Sequence, residues 1–96
     1  MARQVCQLLR GLDVEPQTVI EPSCGYGAFL RAARESFPNA RIRGYEINPE
    51  YVTHARSHLT GGVQELIIEQ ADFFSLNWPE ALGDCEGRLL VLGNPP

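Results

Sequence analysis

Four short polar stretches each follow a run of apolar residues that could form a buried strand. They are Glu21-Pro22-Ser23-Cys24-Gly25-Tyr26-Gly27, Glu46-Ile47-Asn48, Asp72-Phe73-Phe74 and Asn94-Pro95-Pro96. Carboxylate and amide oxygens accept hydrogen bonds from hydroxyl and amino groups, and glycine lets the backbone approach a ligand closely. The sequence therefore predicts a binding site assembled from the ends of several strands.

The glycine loop, Gly25-x-Gly27, has the start of a dinucleotide-binding fingerprint but lacks its third glycine. Leu30 stands where that glycine would allow close packing of helix and strand beside a pyrophosphate. The carboxylate of Glu21, at the mouth of the loop, would repel a pyrophosphate. These features favour a nucleoside-like ligand without phosphates, and S-adenosylmethionine, with its positive sulfonium and ammonium groups, fits. The alternative is a glycine pair that only makes a tight turn.

Acidic residues at the next two strand ends complete this ligand hypothesis. Glu46 lies 21 residues after Gly25, close to the spacing at which an acidic residue binds ribose hydroxyls. Asp72 is expected to accept a hydrogen bond from the amine of an adenine, with Ile47 or Phe73 packed on the ring face. A solvated carboxylate for Glu46 and a plain core position for Phe73 are the alternatives.

The elements that would position these residues alternate between strand and helix. Strands are predicted at 18–21, 41–46, 66–68 and 89–92. Helical spacing groups three apolar stripes: Val5, Leu8, Leu9 and Leu12; Phe29, Leu30, Ala33 and Phe37; and Tyr51, Val52, Ala55 and Leu59. Asn48, Pro49 and Glu50 are the residue types expected to begin the third helix. The predicted fold class is α/β, a Rossmann-like parallel sheet with flanking helices.

Length and composition limit the function classes. The 96 residues suffice for one small domain. Twelve acidic and eight basic residues give a net charge of −4, which argues against this segment alone binding a nucleic-acid backbone. Three cysteines without a C-x-x-C pair, no signal peptide and no long apolar span predict a cytoplasmic location and no membrane partner.

Taken in order, these stretches resemble the motifs of amino-group methyltransferases. Those are class I S-adenosylmethionine-dependent enzymes, and the likeness is to the adenine-specific DNA methyltransferases of restriction–modification systems in particular. The residues that carry it are Glu21-Pro22-x-Cys24-Gly25-x-Gly27-x-Phe29-Leu30, Glu46-Ile47-Asn48-Pro49, Ala71-Asp72-Phe73 and Asn94-Pro95-Pro96. The resemblance implies a cofactor site formed by Glu21, Pro22, Cys24, Gly25, Gly27, Phe29, Glu46, Ile47, Asp72, Phe73 and Asn94.

The resemblance gives the closing Asn94-Pro95-Pro96 a catalytic role. An exocyclic amine is a poor nucleophile because its lone pair is delocalised into the ring. The side-chain oxygen of Asn94 and the carbonyl of Pro95 would accept both N–H bonds and aim the lone pair at the methyl group. The locked φ angles of Pro95 and Pro96 would hold this pair of acceptors in place. A strand-end turn without catalytic role is the alternative.

The resemblance also sets expectations about the whole enzyme. Residues 1–96 are expected to form the cofactor-binding part of a single methyltransferase domain, incomplete at its C-terminus, with DNA bound through regions that the chain lacks. Enzymes that methylate a glutamine amide in protein release factors or a guanine amine in ribosomal RNA share the Asn-Pro-Pro corner. A non-catalytic cofactor-binding module and a nicotinamide-binding domain are further alternatives.

Cysteine and metal chemistry are not expected. A cytosine-carbon methyltransferase commonly takes its thiolate from a Pro-Cys pair, and no cysteine here directly follows a proline. Cys24 and Cys85 are interpreted as structural. His54 and His58 are four residues apart on one helix but have no third ligand nearby, so a solvated helix face is favoured over a zinc site.

Overall fold

The chain alternates helices and strands, as its pattern predicts. A computed structural model describes residues 1–22, 24–59, 65–83 and 87–92. Its elements are α1 (Ala2–Gly11), β1 (Thr18–Glu21), α2 (Ala28–Ser36), β2 (Arg41–Glu46), α3 (Pro49–His58), β3 (Leu66–Gln70), α4 (Trp78–Ala81) and β4 (Leu89–Val91). The strands form one parallel sheet in the order β3-β2-β1-β4, which confirms the predicted fold class.

The strand order changes direction at β1. From β1 the chain continues to β2 and β3 on one side, and β4 lies on the other side of β1. In open α/β sheets, ligands bind beyond the carboxyl ends of the strands at such a switch point. The loop after β1 therefore lies where a ligand site is expected.

The main core lies on the face of the sheet that packs against the helices. The parallel register places Val19 of β1 beside Ile42 of β2, and both are buried against Leu30 of α2. Helix α3 contributes Val52 and Ala55 to the same core. Full burial of one such aliphatic side chain stabilises the fold by about 1.5–3 kcal/mol. This packing fixes the helices whose first residues follow the strand ends.

The opposite face of the sheet carries a smaller contact with α4. Tyr45 is 4% exposed, and its ring meets that of Trp78 edge to face, with 5.5 Å between centroids. The Arg43 guanidinium donates to the carbonyl of Ala81 at 3.1 Å. The segment that follows β3 is thereby held beneath β2.

Helix α1 differs from its predicted stripe. Leu8 and Leu12 are 64% and 67% exposed, and the helix ends at Gly11. The side that packs on α2 carries Cys6, which is fully buried, and Leu9 beside it. Val5 and Leu9 of the predicted stripe pack against the core, whereas Leu8 and Leu12 do not, because an amphipathic pattern does not say which edge of its stripe meets the neighbouring helix.

Helix α3 begins as predicted. The Asn48 side chain accepts the N–H of Glu50 at 2.9 Å, and Pro49 occupies the first helical position. The helix has ten residues, as does α1. Among the described residues, no helix has the length and apolar character needed to cross a bilayer.

Candidate functional site

Glu46 joins three loops at the carboxyl edge of the sheet. It is the last residue of β2 and is 7% exposed. One carboxylate oxygen accepts the N–H of Gly25 at 2.9 Å, and the other accepts the N–H of Asn48 at 2.8 Å. Its backbone carbonyl accepts the N–H of Ala71 at 3.0 Å. The loops that follow β1, β2 and β3 therefore meet at this residue.

These contacts use only part of the hydrogen-bonding capacity of the Glu46 carboxylate. A carboxylate offers about four acceptor positions, and the two backbone N–H groups occupy two of them. The remaining positions suffice for the two hydroxyls of a ribose. Because the existing bonds fix the orientation of the carboxylate, such a ligand would meet an already ordered acceptor.

The two loop positions require glycine for different structural reasons. Gly25 and Gly27 have φ angles of 53° and 93°, in the left-handed region that other residues rarely adopt. A Cβ at Gly25 would meet nothing within 4 Å, so this side of the loop is open. A Cβ at Gly27 would lie 2.9 Å from Leu59 Cδ1 and 3.5 Å from Ala55 Cβ. Gly27 therefore lets the loop lie directly on α3, while Gly25 presents backbone to open space.

The third glycine of the dinucleotide fingerprint is replaced by a glycine in the neighbouring strand. Leu30 of α2 is fully buried, and its Cδ1 would lie 2.6 Å from a Cβ at Gly44 of β2. That Cβ would also lie 3.2 Å from Cys24 Sγ. The close approach of helix and strand, which the fingerprint obtains from a glycine on the helix, comes here from a glycine on the strand.

Cys24 is buried within the loop and is structural. Its N–H donates to the carbonyl of Tyr45, and its own carbonyl accepts the N–H of Gly27, both at 2.8 Å. Burial, together with the nearby carboxylates of Glu46 and Glu21, raises the pKa of the Cys24 thiol from 9.0 to about 12. Because the thiolate is the reactive form of cysteine, this thiol is unreactive at neutral pH.

The remaining predicted residues of the first loop lie around Cys24. Glu21 ends β1 beside Gly44 and is 2% exposed, so its carboxylate lies inside the loop. Pro22 is half-buried, and Phe29 packs against the edge of the main core. The structure thus brings Glu21, Cys24, Gly25 and Glu46 into one contiguous region.

The turn after β3 is built from local contacts. Asp72 Oδ1 accepts the N–H of Phe74 at 3.0 Å, and Oδ2 accepts the hydroxyl of Ser75 at 3.2 Å. The Phe73 ring meets the Phe74 and Trp78 rings at centroid distances of 5.0 and 5.8 Å. Phe73 is half-buried, whereas Phe74 is 78% exposed.

Ile47 lies between these two regions with an exposed side chain. It follows Glu46 directly and is 60% exposed, while its carbonyl accepts the Gln70 amide at 3.3 Å. An apolar side chain held open beside a fixed carboxylate suits the face of a planar ring. The described residues therefore provide acceptors for polar groups and an apolar surface at one edge of the sheet.

A polar groove at the amino-terminal edge of the sheet is a weaker candidate for the functional site. It is lined by Arg10, Asp13, Gln17, Asn39 and Arg41, among others. It lies at the amino ends of β1 and β2, whereas ligands of open α/β sheets bind at the carboxyl ends. We therefore place the candidate site at the carboxyl edge, around Glu46.

Comparison with known proteins finds methyltransferases similar to this chain. No family model matches the chain. Over its whole length the chain is 35% identical to the type II methyltransferase M.NspV of a Nostoc species, and over 88% of its length it is 36% identical to the type II methyltransferase M.CvrRI of a Paramecium bursaria Chlorella virus. It spans 20% and 19% of these two relatives, about a fifth of their length.

Solved structures of methyltransferases have the same fold. The SAM-bound amino pentose methyltransferase CalS10 from Micromonospora echinaspora matches 79% of this chain and 30% of its own, with a TM-score of 0.63 and 24% identity. An S-adenosylmethionine-dependent methyltransferase from Mesorhizobium loti matches 73% of this chain and 32% of its own, with a TM-score of 0.57 and 26% identity.

The chain has the class I methyltransferase fold and is a relative of the type II methyltransferases.

Within this methyltransferase fold, part of the predicted site lies outside the described residues. The predicted site residues Asn94, Pro95 and Pro96 are not among the described residues, and neither are Ser23 and Cys85. The last described residue, Leu92, donates its N–H to the carbonyl of Ile20 at 2.9 Å. The chain therefore reaches residue 92 at the carboxyl end of β1, the edge that carries Glu46.

Sequence reasoning about the candidate site did not single out Tyr26. Its ring leaves the glycine loop and lies against α3, 4.3 Å from the Tyr51 centroid and 4.7 Å from that of His54. His54 in turn stacks on His58, with 4.0 Å between centroids. A large side chain between two glycines was the available signal, since it must leave a tight loop. No group of three or more metal-ligating side chains occurs in the described part of the chain.

Proposed function

We propose that this chain forms the S-adenosylmethionine-binding part of an enzyme that methylates the exocyclic amine of adenine in DNA. The observation that carries the proposal is the Glu46 carboxylate, bonded to Gly25 and Asn48 at the edge where the strand order changes direction. Type II methyltransferases among the sequence relatives, and a SAM-bound enzyme among the structural ones, support it.

In this proposal, different described residues contact the ribose, the adenine and the methionine part of the cofactor. Glu46 accepts the ribose hydroxyls through its remaining lone pairs, and the adenine lies between Ile47 and Phe73 with its amine directed to Asp72. The carboxylate of Glu21 attracts the positive methionine end, and the open side of Gly25 lets it approach. Pro22, Cys24, Gly27 and Phe29 shape the loop that surrounds it.

The proposed reaction is a direct transfer of the methyl group. The lone pair of the target nitrogen forms a new N–C bond while the C–S bond of the sulfonium breaks, and sulfur keeps that electron pair. S-adenosylhomocysteine and a methylated amine result, and the amine releases one proton. Asn94 and Pro95 would accept hydrogen bonds from the two N–H groups and so direct the lone pair at the methyl group.

Adenine in DNA is the acceptor favoured by the resemblance of the first loop, Glu21-Pro22-x-Cys24-Gly25-x-Gly27-x-Phe29-Leu30, while Asn94-Pro95-Pro96 points more broadly to a planar nitrogen. A base in duplex DNA must leave the stack before its amine can reach such a corner. Because this chain carries a net charge of −4, we propose that basic residues outside these 96 contact the DNA backbone. The type II relatives support DNA as the acceptor, and the choice of adenine as the base depends on the motif resemblance.

Replacement of Asn94 tests the catalytic part of the proposal. In the whole protein, Asn94→Ala should lower methyl transfer to duplex DNA by about 10²–10³-fold, the effect of deleting one preorganised partner of a reacting group. Affinity for S-adenosylhomocysteine should change by no more than a few-fold, since Asn94 acts on the target nitrogen. The measurement is transfer of a labelled methyl group, with mass spectrometry of the product nucleosides.

A matched control is Asn77→Ala, which removes an asparagine that caps α4 by accepting the N–H of Glu80 at 3.2 Å. Its methyl transfer should stay near that of the unchanged protein. Near-normal turnover of Asn94→Ala would remove the catalytic assignment. A methylated guanine or glutamine in place of methyladenine would contradict the proposed acceptor but not the cofactor site.

A further inference from the structure

Tyr26 connects the glycine loop to α3 on the side away from the sheet core. Its ring is tilted by 42° against Tyr51 and stands edge-on to His54 at 75°. A hydrogen bond with Tyr51, and the negative charge that Tyr51 would carry, raise the pKa of the Tyr26 hydroxyl. Although Tyr26 is 56% exposed, its ring is thus engaged with two side chains of one helix.

The same loop is also held by Glu46 and by close packing at Gly27. Gly25 donates its N–H to the Glu46 carboxylate, and a Cβ at Gly27 would lie 3.5 Å from Ala55 Cβ of α3 and 2.9 Å from Leu59 Cδ1, just after it. Both glycines have left-handed φ angles, and glycine is the residue that loses most conformational freedom on ordering. A loop of this composition keeps one shape only if the surrounding contacts hold it there.

We propose that Tyr26 is a positioning residue that holds the glycine loop in its ligand-binding shape, and so sets the affinity of the site for S-adenosylmethionine. The inference rests on the proposed function for its ligand. When the loop has its ligand-binding shape in only a fraction of the molecules, the apparent dissociation constant is the intrinsic constant divided by that fraction. Tyr26 would act through this fraction and need not touch the ligand.

The partners of Tyr26 are suited to this role because they are themselves fixed. Tyr51 lies in the first turn of α3, whose start is held by the Asn48 cap and by the bond from Asn48 N–H to Glu46. His54 is half-buried and stacks on His58 at an interplanar angle of 20°. Glu46 and Tyr51 therefore both hold the loop, and both depend on the start of α3.

Binding of S-adenosylhomocysteine to the whole protein, measured by calorimetry, tests the proposal. Tyr26→Ala should weaken binding about tenfold, because it removes two aromatic contacts from the loop. Tyr26→Phe keeps both ring contacts and should restore most of the affinity. Tyr51→Ala should give a similar loss, and the double variant should lose less than the two changes added together. Leu8→Ala, which removes a side chain that is 64% exposed on α1 and contacts neither the loop nor α3, is the control and should bind normally.

Amide hydrogen exchange gives a second readout that does not depend on the ligand. The N–H groups of Gly25 and Gly27 are both hydrogen-bonded, so loop opening should speed their exchange in Tyr26→Ala and not in Tyr26→Phe. Unchanged affinity and unchanged exchange in a folded Tyr26→Ala protein would overturn the proposal. If the unchanged protein fails to bind S-adenosylhomocysteine, the proposed function is wrong, and the exchange result alone then decides whether Tyr26 holds the loop.

Discussion

The loops after β1 and β3 lie at the same edge of the sheet but are held in different ways. The glycine loop after β1 depends on distant residues: Gly25 bonds to Glu46, and Gly27 packs against α3. The turn after β3 depends on its neighbours in sequence, since Asp72 accepts hydrogen bonds from Phe74 and Ser75. The first loop is therefore held mainly by distant residues, and the turn at Asp72 mainly by its neighbours in sequence.

In the proposed site, this difference separates two kinds of ligand contact. A residue such as Glu46 contributes its own hydrogen bonds and also the shape of the loop beside it. A residue such as Asp72 can contribute only its own contact, because its turn does not support the rest of the site. Changes near β1 and β2 should therefore spread through the site, whereas changes near β3 should stay local.

Removal of the Glu46 carboxylate should have the largest effect on ligand affinity. Glu46→Ala is expected to cost about 1.5–3 kcal/mol of binding free energy for S-adenosylhomocysteine, the range for hydrogen bonds to a charged group. Loss of the bonds to Gly25 and Asn48 should place the value at the upper end. Calorimetry measures the effect, and thermal unfolding verifies that the variant is folded.

The control for this change is Glu46→Gln, which keeps one acceptor oxygen but turns an amide N–H₂ toward a backbone N–H. We expect it to recover only part of the affinity. A folded Glu46→Ala protein with an unchanged dissociation constant would show that the ligand is placed wrongly.

The two glycines of the loop should differ in their effect on stability. Gly27→Ala should lower the free energy of unfolding by about 1–2 kcal/mol for its left-handed conformation, and further because its Cβ would lie 2.9 Å from Leu59 Cδ1. Gly25→Ala shares the left-handed φ but has open space around its Cβ, so its cost should be the smaller. Urea unfolding of both variants checks this, and equal losses would contradict the close contact with α3.

Replacement of Asp72 should have a smaller effect on ligand affinity than replacement of Glu46. Asp72→Ala is expected to cost about 0.5–1.5 kcal/mol of binding free energy, the range for one ordinary hydrogen bond. Asp72→Asn keeps an oxygen for the N–H of Phe74 and should preserve the turn. A loss of affinity larger than that of Glu46→Ala, measured by the same calorimetry, would reverse the comparison between the two loops.

Much of this fold was predictable because its signals are local. The strand from 18 to 21 ends before Pro22, which has no N–H to continue a ladder, and the structure confirms that end. Asn48, Pro49 and Glu50 each favour the start of a helix for a separate reason, and α3 begins there. Such signals need no knowledge of the rest of the chain.

The parts that were not predicted depend on contacts between elements. Gly44 inside a strand was a sign of close backbone approach, but only the fold shows that Leu30 fills the space. The acidic residue at the end of β2 was predicted from its spacing, whereas its bonds to Gly25 and Asn48 require the loops to be placed in space. The roles of Asn94, Pro95 and Pro96 stay predictions.

The most direct test of the central claim is calorimetry of the whole protein with S-adenosylhomocysteine and NAD in parallel. The claim is that the carboxyl edge around Glu46 binds an adenosyl ligand without phosphates. Leu30 packs on Gly44, where the dinucleotide fingerprint would have a glycine on the helix, and the Gly25 N–H already bonds to the Glu46 carboxylate. A pyrophosphate would therefore find few hydrogen-bond donors and a nearby negative charge. We predict that S-adenosylhomocysteine binds and that NAD binds more weakly. Tighter binding of NAD would contradict the claim.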